Sequence, residues 1–213
     1  MRLLTKIYFI SSRILLRIWR IVRIPLAVIF ILFIALVIYR IPVVRERMKT
    51  EEVVKKIQAQ KLTIADVMGK NLPPTPDPLL KDASIEGIDA NENGIRDDVE
   101  LAIFKLYPYS ARIRAAELQY AMALQNELTP DIFNSDTLVA TLFQESRSYF
   151  CIDKAIPNAT DSVFNLTIKG IENLVLNTQS RKSRHEEILK KFMTSHANPS
   201  DQFCDIDFNT LSN

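Results

Sequence analysis

"SARIRAAELQYAMALQNEL", residues 110–128, decides how this chain is read. Ile113, Ala116, Tyr120, Leu124 and Leu128 recur at three- and four-residue intervals, which sets them on one face of a helix. Thr129-Pro130 then breaks the pattern. The same period returns three times downstream. Residues 136–152 carry Leu138, Val139, Leu142, Phe143, Ser146, Tyr149 and Phe150. Residues 161–176 carry Phe164, Ile168, Ile171 and Val175, and residues 180–196 carry Ile188, Leu189, Phe192 and Met193. No run alternates with period two, and no internal repeat is present. The expected fold is mostly α: a transmembrane helix, a stalk and a small antiparallel helical bundle.

Upstream of the bundle the chain changes character. "IPLAVIFILFIALVIY", residues 24–39, has no charged or strongly polar side chain. As a helix it spans about 24 Å, close to a hydrocarbon core of roughly 30 Å once Ile21, Val22 and snorkelling Arg23 and Arg40 are added. Pro25 would fit the first turn of a helix beginning there. A cleaved signal peptide is the competing reading, but no A-x-A-like site follows. Before the span lie Arg2, Lys6, Arg13, Arg17, Arg20 and Arg23, with no acid among them. The positive-inside rule places that end in the cytoplasm and the rest outside, a bacterial periplasm being the favoured setting. Arg2, Lys6, Arg13, Arg17 and Arg20 fall within about 40° of one helical direction. They suit either a helix lying on an anionic leaflet or a simple extension of the spanning helix.

The expected organisation is a basic cytoplasmic segment over 1–23, a transmembrane helix over 24–41, a juxtamembrane helical stalk and Pro-rich linker over 42–78, and a helical domain over 79–213. Within the stalk, "TEEVVKKIQAQKL" reads as a polar helix. Thr63 and Asp66 form a capping box for a short second helix, with Gly69 where a left-handed cap is wanted. "NLPPTPDP", residues 71–78, excludes helix by proline density. Charge divides along the same line. Residues 1–60 carry twelve Lys and Arg against three Asp and Glu, whereas the remainder carries fifteen against twenty-two. Nucleic-acid binding is not expected, since no basic cluster survives outside the anchor.

One short stretch carries ligand chemistry. In "GIDANENGIRDDVE", residues 87–100, Asp89 can be counted as position 1 of D-x-[DN]-x-[DN]-G-x₅-E. Asn91 and Asn93 then take positions 3 and 5, Gly94 takes 6, Ile95 takes 7, Asp97 takes 9 and Glu100 takes 12. Ca²⁺ requires about six to eight oxygens, and a tightly curled loop turns alternate side chains inward to meet it. Gly permits the sharp turn that aims the Ile95 carbonyl, while Glu100 closes the shell from the following helix. The expected set is Asp89, Asn91, Asn93, the Ile95 carbonyl, Asp97 and Glu100, at a modest affinity of roughly 10⁻⁴–10⁻³ M. The alternative is an Asx-rich turn capping a helix without an ion.

Over these dozen residues the loop resembles the calcium loops of the EF-hand superfamily, dockerin modules included, and those of thrombospondin type 3 repeats. Arg96 stands where an EF-hand loop carries an aliphatic at position 8, and no entering helix is evident. Asp205, Asp207 and Asn209 repeat the 1-3-5 spacing, but without a Gly or a position 12.

The two cysteines, Cys151 and Cys204, would pair in an oxidising compartment and tie the tail to the bundle; the alternative is two free thiols. His185 and His196 lie about 16 Å apart along a helix, too far to share a metal, and read as packing or edge residues. Asn158 and Asn165 head glycosylation acceptor triplets that matter only in a secretory lumen. No nucleophile elbow, phosphate loop or Cys–His arrangement appears, so an enzyme is not expected. The expected role is a membrane-anchored interaction or scaffold protein with a structural Ca²⁺ clip. Its expected partners are membrane lipids, through residues 1–41, and another protein. A Ca²⁺-responsive module and an enzyme without a recognisable motif are the alternatives.

Overall fold

The computed structural model describes residues 2–194 and 202–211, with side chains from residue 21 onward and at Trp19. Among the described residues there are seven α-helices and no strand. They divide into two units, Met1–Lys49 and Thr50–Asn213.

The first unit is entirely helical. It is formed by α1, which runs unbroken over Arg2–Ala59 and so continues into the second unit. Pro25 and Pro42 both lie inside it. Pro25 therefore sits in mid-helix rather than in a first turn, and the chain does not change direction at residue 23. The stretch Ile21–Ala59 is long and apolar enough to cross a membrane, and its apolar window is fully exposed. Arg23 is exposed. The side chains of Arg2, Lys6, Arg13, Arg17 and Arg20 lie outside the described residues, as does His196.

The second unit begins earlier than the sequence suggests. Its first residues are the last turns of α1, where Val53 and Ile57 are buried with Ile132, Leu138, Leu142 and Ile188 in a small core. The stalk expected to reach Pro78 is thus already part of the folded body at residue 50. After α1 comes α2, Ile64–Val67, capped as expected: Thr63 Oγ1 accepts from Asp66 N at 3.2 Å and Thr63 N donates to Asp66 Oδ2 at 2.9 Å. Gly69 takes φ +74°, the left-handed conformation that ends the turn. The proline stretch is non-helical. Then follow α3 (Asp97–Leu106), α4 (Ala111–Leu128), α5 (Ser135–Ala155), α6 (Asp161–Val175) and α7 (Gln179–Phe192), with a 3-10 turn at Phe208–Thr210.

The bundle is built around α4, which contacts α2, α3, α5, α6 and α7. Almost every α4 residue is buried, so the single apolar face expected for it is replaced by burial all round; Ile113, assigned to that face, is only half-buried. Arg114, Gln119 and Gln125 among the polar residues this encloses find backbone partners. Arg114 Nε donates to Val67 O at 3.1 Å and its Nη1 to Tyr107 O at 2.7 Å. Gln125 Nε2 donates to Glu86 O at 2.8 Å. On α5 the buried face also differs from the expected one. Tyr149 and Phe150 are exposed, and Ser148, Cys151, Ile152 and Ala155 face inward. The main core gathers Val99 and Ile103 of α3 with Leu118, Leu124 and Leu128 of α4 and Ile168, Ile171 and Val175 of α6.

The tail is fastened twice. Cys151 and Cys204 form a disulfide, with Cα atoms 5.0 Å apart. Beside it Asp205 accepts from Arg147 Nη2 at 2.9 Å and from Leu62 N at 3.3 Å. Gln119 completes the clamp, accepting from Asp205 N and donating to Phe203 O, both at 2.8 Å. The 1-3-5 spacing of Asp205, Asp207 and Asn209 thus has structural uses: Asp205 is this clamp, and Asp207 caps the 3-10 turn.

Candidate functional site

The Asp/Asn loop leads directly into α3 and is curled as its composition requires. Gly94 adopts φ +85° and Glu92 φ 56°, both left-handed. A Cβ on Gly94 would meet the Gln60 side-chain amide, the mobile end of a flexible side chain that can swing aside, so it is the positive φ that calls for Gly here. Asp89 Oδ2 accepts from Gly94 N at 2.8 Å and Oδ1 from Asn93 N at 3.2 Å. Asn93 Oδ1 accepts from Ile95 N at 2.9 Å. Asp97 Oδ1 accepts from Ala90 N at 2.9 Å, and Asp97 N donates back to Ile88 O at 2.8 Å.

Position 12 lies at the centre of this curl. Glu100, one turn into α3, is fully buried and its Oε2 accepts from Asn91 Nδ2 and Asn93 Nδ2, each at 3.0 Å. The residues at positions 3, 5 and 12 are therefore in direct contact. Three buried oxygens here have no hydrogen-bond partner: Asn91 Oδ1, Asp97 Oδ2 and Glu100 Oε1. They belong to positions 3, 9 and 12. Leaving a buried polar atom unpaired costs about 1–3 kcal/mol, so three in one loop is a concentrated deficit. Burial raises the Glu100 carboxyl to about 7, with Asp66 and Asp89 adding like charge. Asp89 is also raised, chiefly by burial and then by Asp97. Among the described residues, no cation figures in the charges acting on either carboxyl.

Hard oxygens are the chemistry of Ca²⁺ and Mg²⁺ sites. Among the described residues no group of three or more His, Cys, Asp and Glu side chains is placed to hold a metal ion. A shell at this loop would need the amide oxygens of Asn91 and Asn93 as well. The amides now turn their nitrogens to Glu100. The loop carries hard oxygens on Asp89, Asn91, Asn93, Asp97 and Glu100, arranged here as a hydrogen-bonded network.

Three contributors have no counterpart in the loop motif. Asn91 Nδ2 also donates to Asn71 O at 2.7 Å, and Asn71 Nδ2 to Asp66 Oδ1 at 3.1 Å. Gln60, just beyond α1, covers Gly94. All three lie at least twenty residues upstream, beyond the reach of a spacing pattern. Arg96, the departure from EF-hand loops, has a clear use. Its side chain is buried and donates to Leu174 O at 2.9 Å and Val175 O at 3.1 Å, while pairing with Asp98. The residue that would meet a second loop in an EF-hand pair instead holds the carbonyl end of α6. Ile95 is buried in the main core, which anchors the loop from beneath. His185, expected at an edge or in packing, meets the buried carboxylate of Glu127.

No protein family, curated protein or solved structure matches this chain.

Proposed function

We propose that the second unit is an extracytoplasmic helical domain, tethered by α1, whose Asp89–Glu100 loop takes up one Ca²⁺ as a structural clip. The observation that carries this reading is the set of three unpaired buried oxygens at positions 3, 9 and 12 of the loop. An ion there would satisfy all three and offset the charge deficit around Glu100. The clip would join two regions distant in sequence: α3 through Glu100, and the start of the proline stretch through Asn91 and Asn71. The basic N-terminal end and the disulfide support an outward-facing domain. With no catalytic constellation legible in the sequence, an interaction or scaffold role suits the domain best.

The test is a calorimetric Ca²⁺ titration of the full chain in detergent micelles, beside Glu100→Gln. Saturable binding near 10⁻⁴–10⁻³ M that the variant loses is the expected result. Absence of binding up to about 10 mM, well above that range, would leave the loop as a helix cap.

A further inference from the structure

α7 is held in the bundle more by polar contacts than by apolar burial. Of its residues only Arg181 and Ile188 are buried, with Leu189 and Phe192 partly packed against the smaller core. Arg181 donates to the carbonyls of Lys81, Ser84 and Ile85 and pairs with Asp82. Arg184 donates to Thr129 O at 3.1 Å and Ile132 O at 3.0 Å. The next residue, His185, places Nδ1 on Glu127 Oε2. Glu127 lies on α4 without exposed surface, and its Oε1 has no hydrogen-bond partner.

Each helix around that contact adds a titratable group. Tyr120 and Glu127 come from α4, Glu145 from α5, Glu172 from α6 and His185 from α7. The Tyr120 hydroxyl lies 3.4 Å from both Glu145 Oε1 and Glu172 Oε1, and its one proton can serve only one of them at a time. Among the described residues, the basic group facing these three carboxylates is His185. Three carboxylates, one imidazole and one phenol thus share the inside of the bundle, and the number of protons they hold sets whether they attract or repel.

We propose that this cluster is a proton-operated latch on α7, which docks its C-terminal half while the cluster keeps its protons and releases it when they are removed. Burial, and then the Glu127 charge, push Glu145 up to about 8. The bond to Glu127 raises His185 above its ordinary value. Both groups hold protons more tightly folded than unfolded. Their stabilisation is therefore complete below the ordinary values of 4.5 and 6.5, and is lost as pH rises through the raised ones. Above that point Glu145 has gained a negative charge against Glu127 and Glu172, and His185 has lost the positive charge that faced them. α4, α5 and α6 share the large core and stay in place. Arg181 keeps its carbonyl partners, so the element with least to hold it is α7 from His185 to Phe192.

Hydrogen–deuterium exchange of the full chain in micelles tests this, read by mass spectrometry from pH 6 to 9.5 and divided by the intrinsic rate at each pH. Protection over residues 185–192 is expected to fall at least about tenfold between pH 7 and 9.5, the change that 1.4 kcal/mol produces, while α4 is unchanged. Glu145→Gln, which cannot ionise, should cut that fall to less than about half, leaving only the part that follows from the loss of the His185 charge. His185→Gln should be loosened already at pH 6, below the ordinary imidazole value, since it lacks the cation. Constant protection in the unmodified chain overturns the latch, as does an equal alkaline fall in Glu145→Gln. Should Glu145→Gln not fold, His185→Gln decides: protection equal to the unmodified chain at pH 6 overturns the proposal.

Discussion

Removing the Cys151–Cys204 bridge isolates a contribution that the folded contacts alone do not reveal. The bridge closes a sequence separation of 53 residues, carrying α6 and α7 within the loop. In the chain-entropy treatment a loop of this length lowers the entropy of the unfolded chain by about 14 cal/mol/K, or about 4 kcal/mol at 25 °C. The native side changes little, because Asp205 remains clamped by Arg147, Gln119 and Leu62. Cys204→Ser should therefore destabilise the second unit by about 4 kcal/mol, lowering its melting temperature by roughly 8–16 °C for a body of this size. The assay is reversible urea unfolding in micelles, followed by far-UV circular dichroism. The denaturant slope should rise, because the uncrosslinked chain exposes more surface when unfolded. A change below about 1 kcal/mol, with fast exchange confined to residues 202–211, would refute the reasoning: the tail would then peel away without the bundle needing it.

Other outcomes follow from single side chains. Arg96→Ala should cost about 3 kcal/mol in urea unfolding, because the Leu174 and Val175 carbonyls and Asp98 lose a charged partner; the deficit should be local, with early exchange at the end of α6. Gly94→Ala should cost about 1–3 kcal/mol by thermal melting, from the left-handed backbone, with the Gln60 side chain swinging aside. Glu117 is raised to about 7 by burial, its contact with Tyr107 only partly offsetting this. Its folded value exceeds the ordinary 4.5, so stability present below pH 4.5 falls by up to about 3 kcal/mol as pH rises through 7. Glu117→Gln should flatten that part of the stability–pH curve. Under the calcium proposal, Ca²⁺ at a hundred times its Kd should add about 2.7 kcal/mol to unfolding stability, and Glu100→Gln should remove that increment.

The parts of the fold legible in the sequence are those written in local chemistry. Thr63 and Asp66 announce a cap because both halves of the box are three residues apart. Gly69 and Gly94 take positive φ where a turn demands it. Phe164, Ile168, Ile171 and Val175 line the inward side of α6 because apolar burial and helical period coincide there. α4 defeats the same reasoning. Its buried set includes Arg114, Glu117, Gln119, Gln125 and Glu127, which a hydrophobic period counts as solvent-facing. On α5, Tyr149 and Phe150 mislead in the opposite direction: large rings stay at the surface while small Ser148 and Ala155 fit the close approach of helices. Val53 and Ile57 belong to the core although their helix reads as a polar stalk, because two apolar positions are too few to show a face. The loop follows the same division. Its own residues are placed by spacing, whereas Asn71, Asp66 and Gln60 reach it only through the fold.

The buried side chains of α4 bear on the order in which the chain completes itself. Arg114 and Gln125 reach back to Val67 and Glu86, earlier in the chain, while Gln119 reaches forward to Phe203 and Asp205. Asp205 in turn holds Leu62, 143 residues before it. During synthesis the segments leading from α1 to α3 must wait for α4, and α4 must wait for Phe203 and Asp205. A ribosome that stalls before residue 205 leaves Gln119 and Arg147 without their tail partners and Cys151 without its bridge. Closure of the bundle therefore waits for residue 205 to leave the ribosome, and any product that ends before it carries an unfinished interior.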